Sequence, residues 1–235
     1  MTRKFNIKIP FLLWNLFFFL YAGNIRAMEA QVLVLPHVEA NEDFFTGLSF
    51  LNTAQAPCEA RLTAYSEDGA LIGEKDGIKL SPGERYLNSV ADIFGYKLAP
   101  EVSWIKIEHT GGLIGFGLMV NDSQLARIPL QSKGKKTIIL QYVISDEEVF
   151  TQVYVLNVGE DFSRIKLSAY DGDGALLKSV DFSLAPGQKT SGLVGDFFGP
   201  EVSAEVSWIK AESDGMLMGI GLVGSTDGLF SIPME

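Results

Sequence analysis

Cysteine and histidine are nearly missing from these 235 residues: Cys58 stands alone, and His37 and His109 are the two histidines. One cysteine cannot close an internal disulfide, so the fold must hold by burying apolar surface. No second Cys or His lies near any of the three, which removes the spacing of a structural zinc site; no cofactor or metal is expected. Base is short as well, with 19 Lys and Arg against 29 Asp and Glu and a net charge of −10. Such a surface repels phosphate backbones and anionic lipid, so nucleic acid is not an expected partner. Long apolar runs are also scarce. The most sustained, from Phe11 to Ala22 and interrupted by Asn15, is shorter than the roughly 20 residues that cross a bilayer as a helix.

That short run has a different reading. Arg3, Lys4 and Lys8 precede it, and Ile25-Arg26-Ala27 follows with a small residue at a cleavage point. A basic start, an apolar stretch and a small-residue site make residues 1–27 a secretory signal peptide, cut after Ala27. Its removal takes away Arg3, Lys4, Lys8 and Arg26 and leaves 15 bases against 29 acids. The expected location is secreted or periplasmic, with no membrane insertion after cleavage.

What the chain does contain is a repeat. Residues 61–71 read RLTAYSEDGAL and 166–176 read KLSAYDGDGAL; VSWIKIE at 102–108 answers VSWIKAE at 206–212. Pro82-Gly83 answers Pro186-Gly187, and Ile128-Pro129 answers Ile232-Pro233. The offset is 105 up to Gly69/Gly174 and 104 from Ile78/Phe182 onward, so one extra residue sits near Glu74–Gly77. A one-residue slip inside a strand would turn its buried side chains outward, which places the extra residue in a turn or bulge. Ala60, Leu62 and Ala64 alternate with Arg61, Thr63 and Tyr65, and Ile165, Leu167 and Ala169 repeat the pattern. Period-two alternation with one apolar face is a half-buried strand. The reading is all-β: two tandem antiparallel β-sandwich (Ig-like) domains, 31–130 and 136–235, each of seven to nine strands, joined by a polar linker at 131–135. Ser89–Phe94 and Leu193–Phe198 are the two helical candidates.

A strand ending in Asn (Asn52, Asn157), a tyrosine before an acidic Gly turn, Pro-Gly, Ser-Trp-Ile-Lys and Ile-Pro follow one another in both copies. In this order they resemble the tandem β-sandwich repeats of exported bacterial proteins. The resemblance covers nearly all of 31–235, and its motifs are structural, so it implies a fold and no reaction.

Trp104, Lys106, Trp208 and Lys210 form the candidate binding surface. Along Ser-Trp-Ile-Lys, Trp104, Lys106 and Glu108 share one face while Ile105 and Ile107 share the other, which is aliphatic and faces the core. If His109–Gly112 is a four-residue loop, Trp104 pairs with Gly117 and Trp208 with Gly221, the ring filling the space of the missing side chain. The alternatives are an exposed aromatic platform for a sugar or partner and a buried contact between the copies. Ser103-Trp104-Ile105-Lys106 and Ser207-Trp208-Ile209-Lys210 match the S-x-x-K of penicillin-recognising enzymes, and Lys189-Thr190-Ser191-Gly192 loosely matches their K-T-G. That chemistry needs one helical turn between Ser and Lys, and on a strand the two point to opposite faces. Asp171-Gly172-Asp173-Gly174 is a hairpin turn rather than a calcium loop, because Ala175 and Leu176 follow where oxygen ligands belong. His37 and His109 read as surface or strand-end residues, and Cys58 as a half-buried free thiol. The expected function is therefore a non-enzymatic, exported binding or scaffold protein whose partner is a protein or a glycan. The alternatives are a carbohydrate-binding module using Trp104 and Trp208, and a hydrolase using carboxylates such as Glu101 and Asp92.

Overall fold

Alternating apolar and polar side chains, broken by Asp-Gly and Pro-Gly, leave the chain one way to bury its surface, as short antiparallel strands. The computed structural model describes residues 31–226 and 228–235. Residues 1–27, read above as a signal peptide, lie outside the described residues.

The first half runs β1 (Gln31–Leu35), β2 (Phe45–Asn52), β3 (Cys58–Tyr65), β4 (Leu71–Leu80) and β5 (Arg85–Ser89). A single helical turn, α1 (Val90–Phe94), and a 3₁₀ turn at Ala99–Glu101 follow, then β6 (Trp104–His109), β7 (Leu113–Val120) and β8 (Leu125–Pro129). They form two four-stranded antiparallel sheets, ordered β1-β6-β3-β4 and β5-β2-β7-β8. Ile105, Ile107 and Leu62 from one sheet and Leu48, Phe50 and Ile128 from the other meet in one core. The fold is thus all-β and sandwich-like.

The second half runs β9 (Lys135–Leu140), β10 (Phe150–Asn157), β11 (Ser163–Tyr170), β12 (Leu176–Leu184) and β13 (Lys189–Leu193), then α2 (Val194–Phe198) and α3 (Pro200–Ser203). It ends with β14 (Trp208–Gly224) and β15 (Leu229–Pro233). β14 is 17 residues long. Its first part pairs with β9 and β11 and its last part with β10 and β15, so it joins into one seven-stranded sheet the strand sets that the first half keeps as two sheets, with β6 in one and β7 in the other. Both helical candidates form one turn each. Ser89 caps α1, its hydroxyl accepting from the Asp92 amide at 2.9 Å.

Local chemistry accounts for several details. The β3–β4 register shifts between Ala60 and Leu62, opposite Lys75 and Ile78, where Gly77 takes φ +72. No shift occurs between Ile165 and Leu167 in the second half, so the extra residue is a bulge on β4. Asn52 and Asn157 are fully buried because their amides staple loops: Asn52 Nδ2 donates to the carbonyls of Ala56 and Leu80, and Asn157 Nδ2 to those of Asp161 and Leu184.

The expected Trp–Gly pairs do not form. β6 and β7 lie in different sheets, so Trp104 pairs with Tyr65, while Gly117 pairs with Leu48 and Ile128. Likewise Trp208 pairs with Tyr170 and Gly221 with Val153. Gly111-Gly112 carries the chain across the sandwich instead of folding it into a hairpin; the carbonyl of Gly112 accepts from the Thr53 amide at 2.8 Å. The glycines do make room, but for the opposite sheet: a Cβ on Gly117 would lie 2.7 Å from Leu35, and one on Gly221 2.7 Å from Leu140. The 131–135 connector is not a loose strap either. Gln131 exchanges backbone hydrogen bonds with Val34 and donates its side chain to the Gly219 carbonyl at 3.0 Å, touching both halves.

Replacing Asn157 with Ala should destabilise the protein by about 1–3 kcal/mol, because the buried Leu184 carbonyl loses this donor and the staple to Asp161 is cut. A urea-denaturation midpoint that does not move would contradict this account of the buried asparagine.

Candidate functional site

The residues with chemistry to offer collect along the seam between the halves. Trp104 opens it. Stacked on Tyr65 at 4.2 Å, it is only 5% exposed, because the Pro186-Gly187 turn of the second half lies over it. Its indole Nε1 donates to the Gly187 carbonyl at 2.9 Å. Val34 and Trp104 from one half and Leu156 and Met218 from the other form a small apolar cluster beneath.

Two residues beyond that turn, β13 begins with Lys189, 4% exposed. Its backbone amide donates to the Glu67 carbonyl at 2.8 Å. Its ammonium donates to the Ser103 carbonyl at 2.6 Å and lies 3.2 Å from His37 Nδ1 and 5.5 Å from the centre of the Tyr154 ring. His37 packs on Tyr154 with ring centres 4.1 Å apart, and Ser191 Oγ donates to Glu67 at 3.1 Å. These contacts join residues 37, 67 and 103 to residues 154, 189 and 191, and they leave a cleft of about 270 Å³ lined also by Glu39 and Glu101.

Burial dominates the electrostatics. It lowers Lys189 to about 7, against the opposing pull of Glu67 and Glu39. It lowers His37 to about 4, helped by the Lys189 charge and opposed by Glu39. Burial also raises the Tyr154 hydroxyl, with Glu39 and Glu67 adding to the effect. His37 is therefore neutral at pH 7, so its 3.7 Å approach to Glu39 is not an ion pair. With Nδ1 accepting from Lys189, the imidazole proton sits on Nε2, a buried atom that no hydrogen bond satisfies among the described residues and that faces Glu39.

This arrangement separates the two tryptophans of the expected binding surface, Trp104 being covered and Trp208 half-buried, while Lys106 and Lys210 are both half-buried. Trp104 is covered, which makes it a contact between the halves and not a platform. Lys106 beside it pairs with Glu108 at 3.0 Å. Trp208 is half-buried and stacks on Tyr170 at 3.9 Å and 4°, with Lys210 over the Tyr170 ring and paired to Glu212 at 3.0 Å. His109 ends β6 as expected and His37 lies two residues past β1, and both are buried, at 3% and 5%, and not on the surface. Cys58 is fully buried at 1% and not half-buried, since its alternating strand turns it into the core. Asp171 caps its own turn, accepting from the Asp173 and Ala175 amides. Among the described residues no group of three acidic, His or Cys side chains fits a metal ion. Glu101 reaches the cleft, whereas Asp92 is held at the start of α1 by the Ser89 hydroxyl at 2.6 Å and does not line it. The roles of Lys189 and Tyr154 leave no mark in the sequence, because their partners lie far away along the chain.

No family model matches the chain, and no curated protein matches it. Several solved structures show distant likeness, three of which follow. Thermotoga maritima 1070 is 12% identical, over 43% of this chain and 94% of its own, at a TM-score of 0.36. A Bacteroides uniformis β-glucuronidase is 10% identical, over 86% of this chain and 25% of its own, at 0.20. The allantoicase of Saccharomyces cerevisiae is 10% identical, over 88% and 77%, at 0.23. This chain spans a quarter of the glucuronidase. At such scores neither activity transfers.

The pH dependence follows from the two buried bases. Lys189 binds its proton less tightly folded than unfolded, so stability should rise as pH increases from about 7 toward 10.5. His37 likewise titrates lower in the folded state, so stability should fall as pH drops from 6.5 toward 4. Each effect is on the order of a few kcal/mol, at about 1.4 kcal/mol per pH unit of displacement. Lys189→Met should flatten the alkaline limb in urea melts between pH 7 and 10; an unchanged slope would contradict the assignment. Trp104→Ala should cost about 3–5 kcal/mol and Trp208→Ala distinctly less, and equal losses would contradict the burial difference.

Proposed function

We propose that the chain is a non-enzymatic exported protein built of two Ig-like β-sandwich domains, 31–130 and 136–235. In this reading the seam holds them as one rigid unit that presents a surface to a protein or glycan partner. The observation that carries it is the use made of the converging polar groups. Lys189, the strongly perturbed cation of the cleft, gives its hydrogen bonds to Ser103 and His37 of the other half. A perturbed titration often marks an active site, but structural networks shift pKa values as well. Here the ammonium, the Trp104 N–H and the Ser191 hydroxyl all point at main-chain or side-chain acceptors across the seam.

One observation favours a hydrolase as a second reading: Glu39, Glu67 and Glu101 line the same cleft. Glycoside hydrolysis uses two carboxylates about 5–10 Å apart, and Glu101 is exposed there.

Two measurements test the proposal. Mass spectrometry of the protein recovered from its host should find an N-terminus at or near Met28, while an intact Met1 in a membrane fraction would remove the exported reading. Assays on polysaccharide and peptide substrates should show no turnover. Reproducible turnover lost in Glu101→Gln or Glu67→Gln would replace the scaffold with the hydrolase.

A further inference from the structure

The repeat makes each half carry both surfaces of the seam, yet the chain uses each surface only once. The first half offers the accepting face, Trp104 stacked on Tyr65, and the second half offers the inserting face, the Pro186-Gly187 turn followed by Lys189. The opposite pair is unused among the described residues. The second half has its own accepting face, Trp208 stacked on Tyr170, and the first half has its own inserting turn, Pro82-Gly83 followed by Arg85.

The open state of both is visible in the packing. A Cβ on Gly69 would lie 2.8 Å from the Pro186 carbonyl, and one on Gly187 would lie 3.4 Å from the Trp104 ring. Among the described residues, their counterparts Gly174 and Gly83 meet nothing within 4 Å. The side chains behind them are exposed and apolar. Ile114, the counterpart of the seam residue Met218, is 58% exposed, and Tyr142, the counterpart of His37, is 50% exposed. Leu87, the counterpart of Ser191, is 53% exposed.

We propose that a second copy of this chain docks its Pro82-Gly83 turn onto Trp208 and Tyr170, repeating between molecules the seam that joins the two halves within one. The Trp208 N–H then meets the Gly83 carbonyl as Trp104 meets Gly187. Ser207, the counterpart of Ser103, supplies its carbonyl to the Arg85 guanidinium, which takes the place of Lys189. The cluster of Val34, Trp104, Leu156 and Met218 is rebuilt as Ile139 and Trp208 from one copy with Leu51 and Ile114 from the next. Tyr142 in place of His37 gives Arg85 an aromatic face, a pairing that guanidinium favours. The contact is head to tail, so it leaves one free face of each kind at the ends and propagates until closure or exhaustion. This inference is independent of the scaffold reading, because it rests on the seam and not on export or on a partner.

Within one chain the linker supplies an effective concentration near the millimolar range, so association between chains should appear between about 10 µM and 1 mM. Sedimentation of the mature chain at about 0.15 M salt, where charge repulsion is screened beyond about 8 Å, should show mass rising with concentration. Arg85→Glu spoils the inserting face and Tyr142→Asp the accepting face, and both positions are exposed, so melting temperatures should stay near that of the parent. Each variant alone should associate at least about tenfold more weakly. An equimolar mixture should recover a dimer and stop there, because each variant keeps one good face. A parent chain that remains monomeric to about 1 mM overturns the proposal. Variants that associate as the parent does, or a mixture that fails to recover the dimer, overturn it as well. An oligosaccharide bound at Trp208 by a chain that never self-associates would overturn it in favour of the sugar-binding reading.

Discussion

An indole N–H donated across a seam to a glycine carbonyl, with a buried lysine two residues further on, is the constraint on which the arrangement of this protein depends. Linked domains with small polar interfaces normally move against each other. Here the apolar patch of Trp104, Leu156 and Met218 and the polar contacts of Lys189 lie side by side, and each makes the other stronger. The apolar patch excludes water from the lysine. The lysine in turn gives the Ser103 carbonyl, which already accepts from the Val38 amide, a second donor from the other half.

The same burial sets the chemistry of the cleft. A lysine held near neutrality and a histidine kept uncharged resemble the tuned groups of an active site, and three glutamates lie close by. Their hydrogen bonds run from one half to the other. On the proposed reading the groups act as connectors, and burial between the two halves is the main cause of their perturbation.

Much of the fold is legible in the sequence because its determinants are local. Period-two alternation at 58–65 and 163–170 marks strands, Asp-Gly and Pro-Gly mark turns, and the one-residue offset marks the bulge at Gly77. The pairing of β6 with β7 misleads for a physical reason. A Gly-Gly between two apolar runs has the spacing of a hairpin, but here it carries the chain from one sheet to the other. Gly117 and Gly221 are spaces to be filled, as their small size suggests, and the filler is Leu35 or Leu140 from the facing sheet. Lys189 is not legible at all. Its surroundings come from residues 37, 67, 103 and 154, and nothing in KTSGL distinguishes a buried lysine from a solvated one.

The central claim is that the two halves behave as one body. Differential scanning calorimetry of the protein tests it most directly. A coupled pair should melt in a single transition whose calorimetric enthalpy equals its van't Hoff enthalpy. The double variant Trp104→Ala, Lys189→Met removes the indole donor and the buried ammonium but leaves Tyr154, Ile220, Leu222 and Leu229 packed on the first half, so it should lower the transition temperature and weaken the coupling of the halves. Two separate transitions in the unmodified protein, each with the enthalpy of about a hundred residues, would contradict the account.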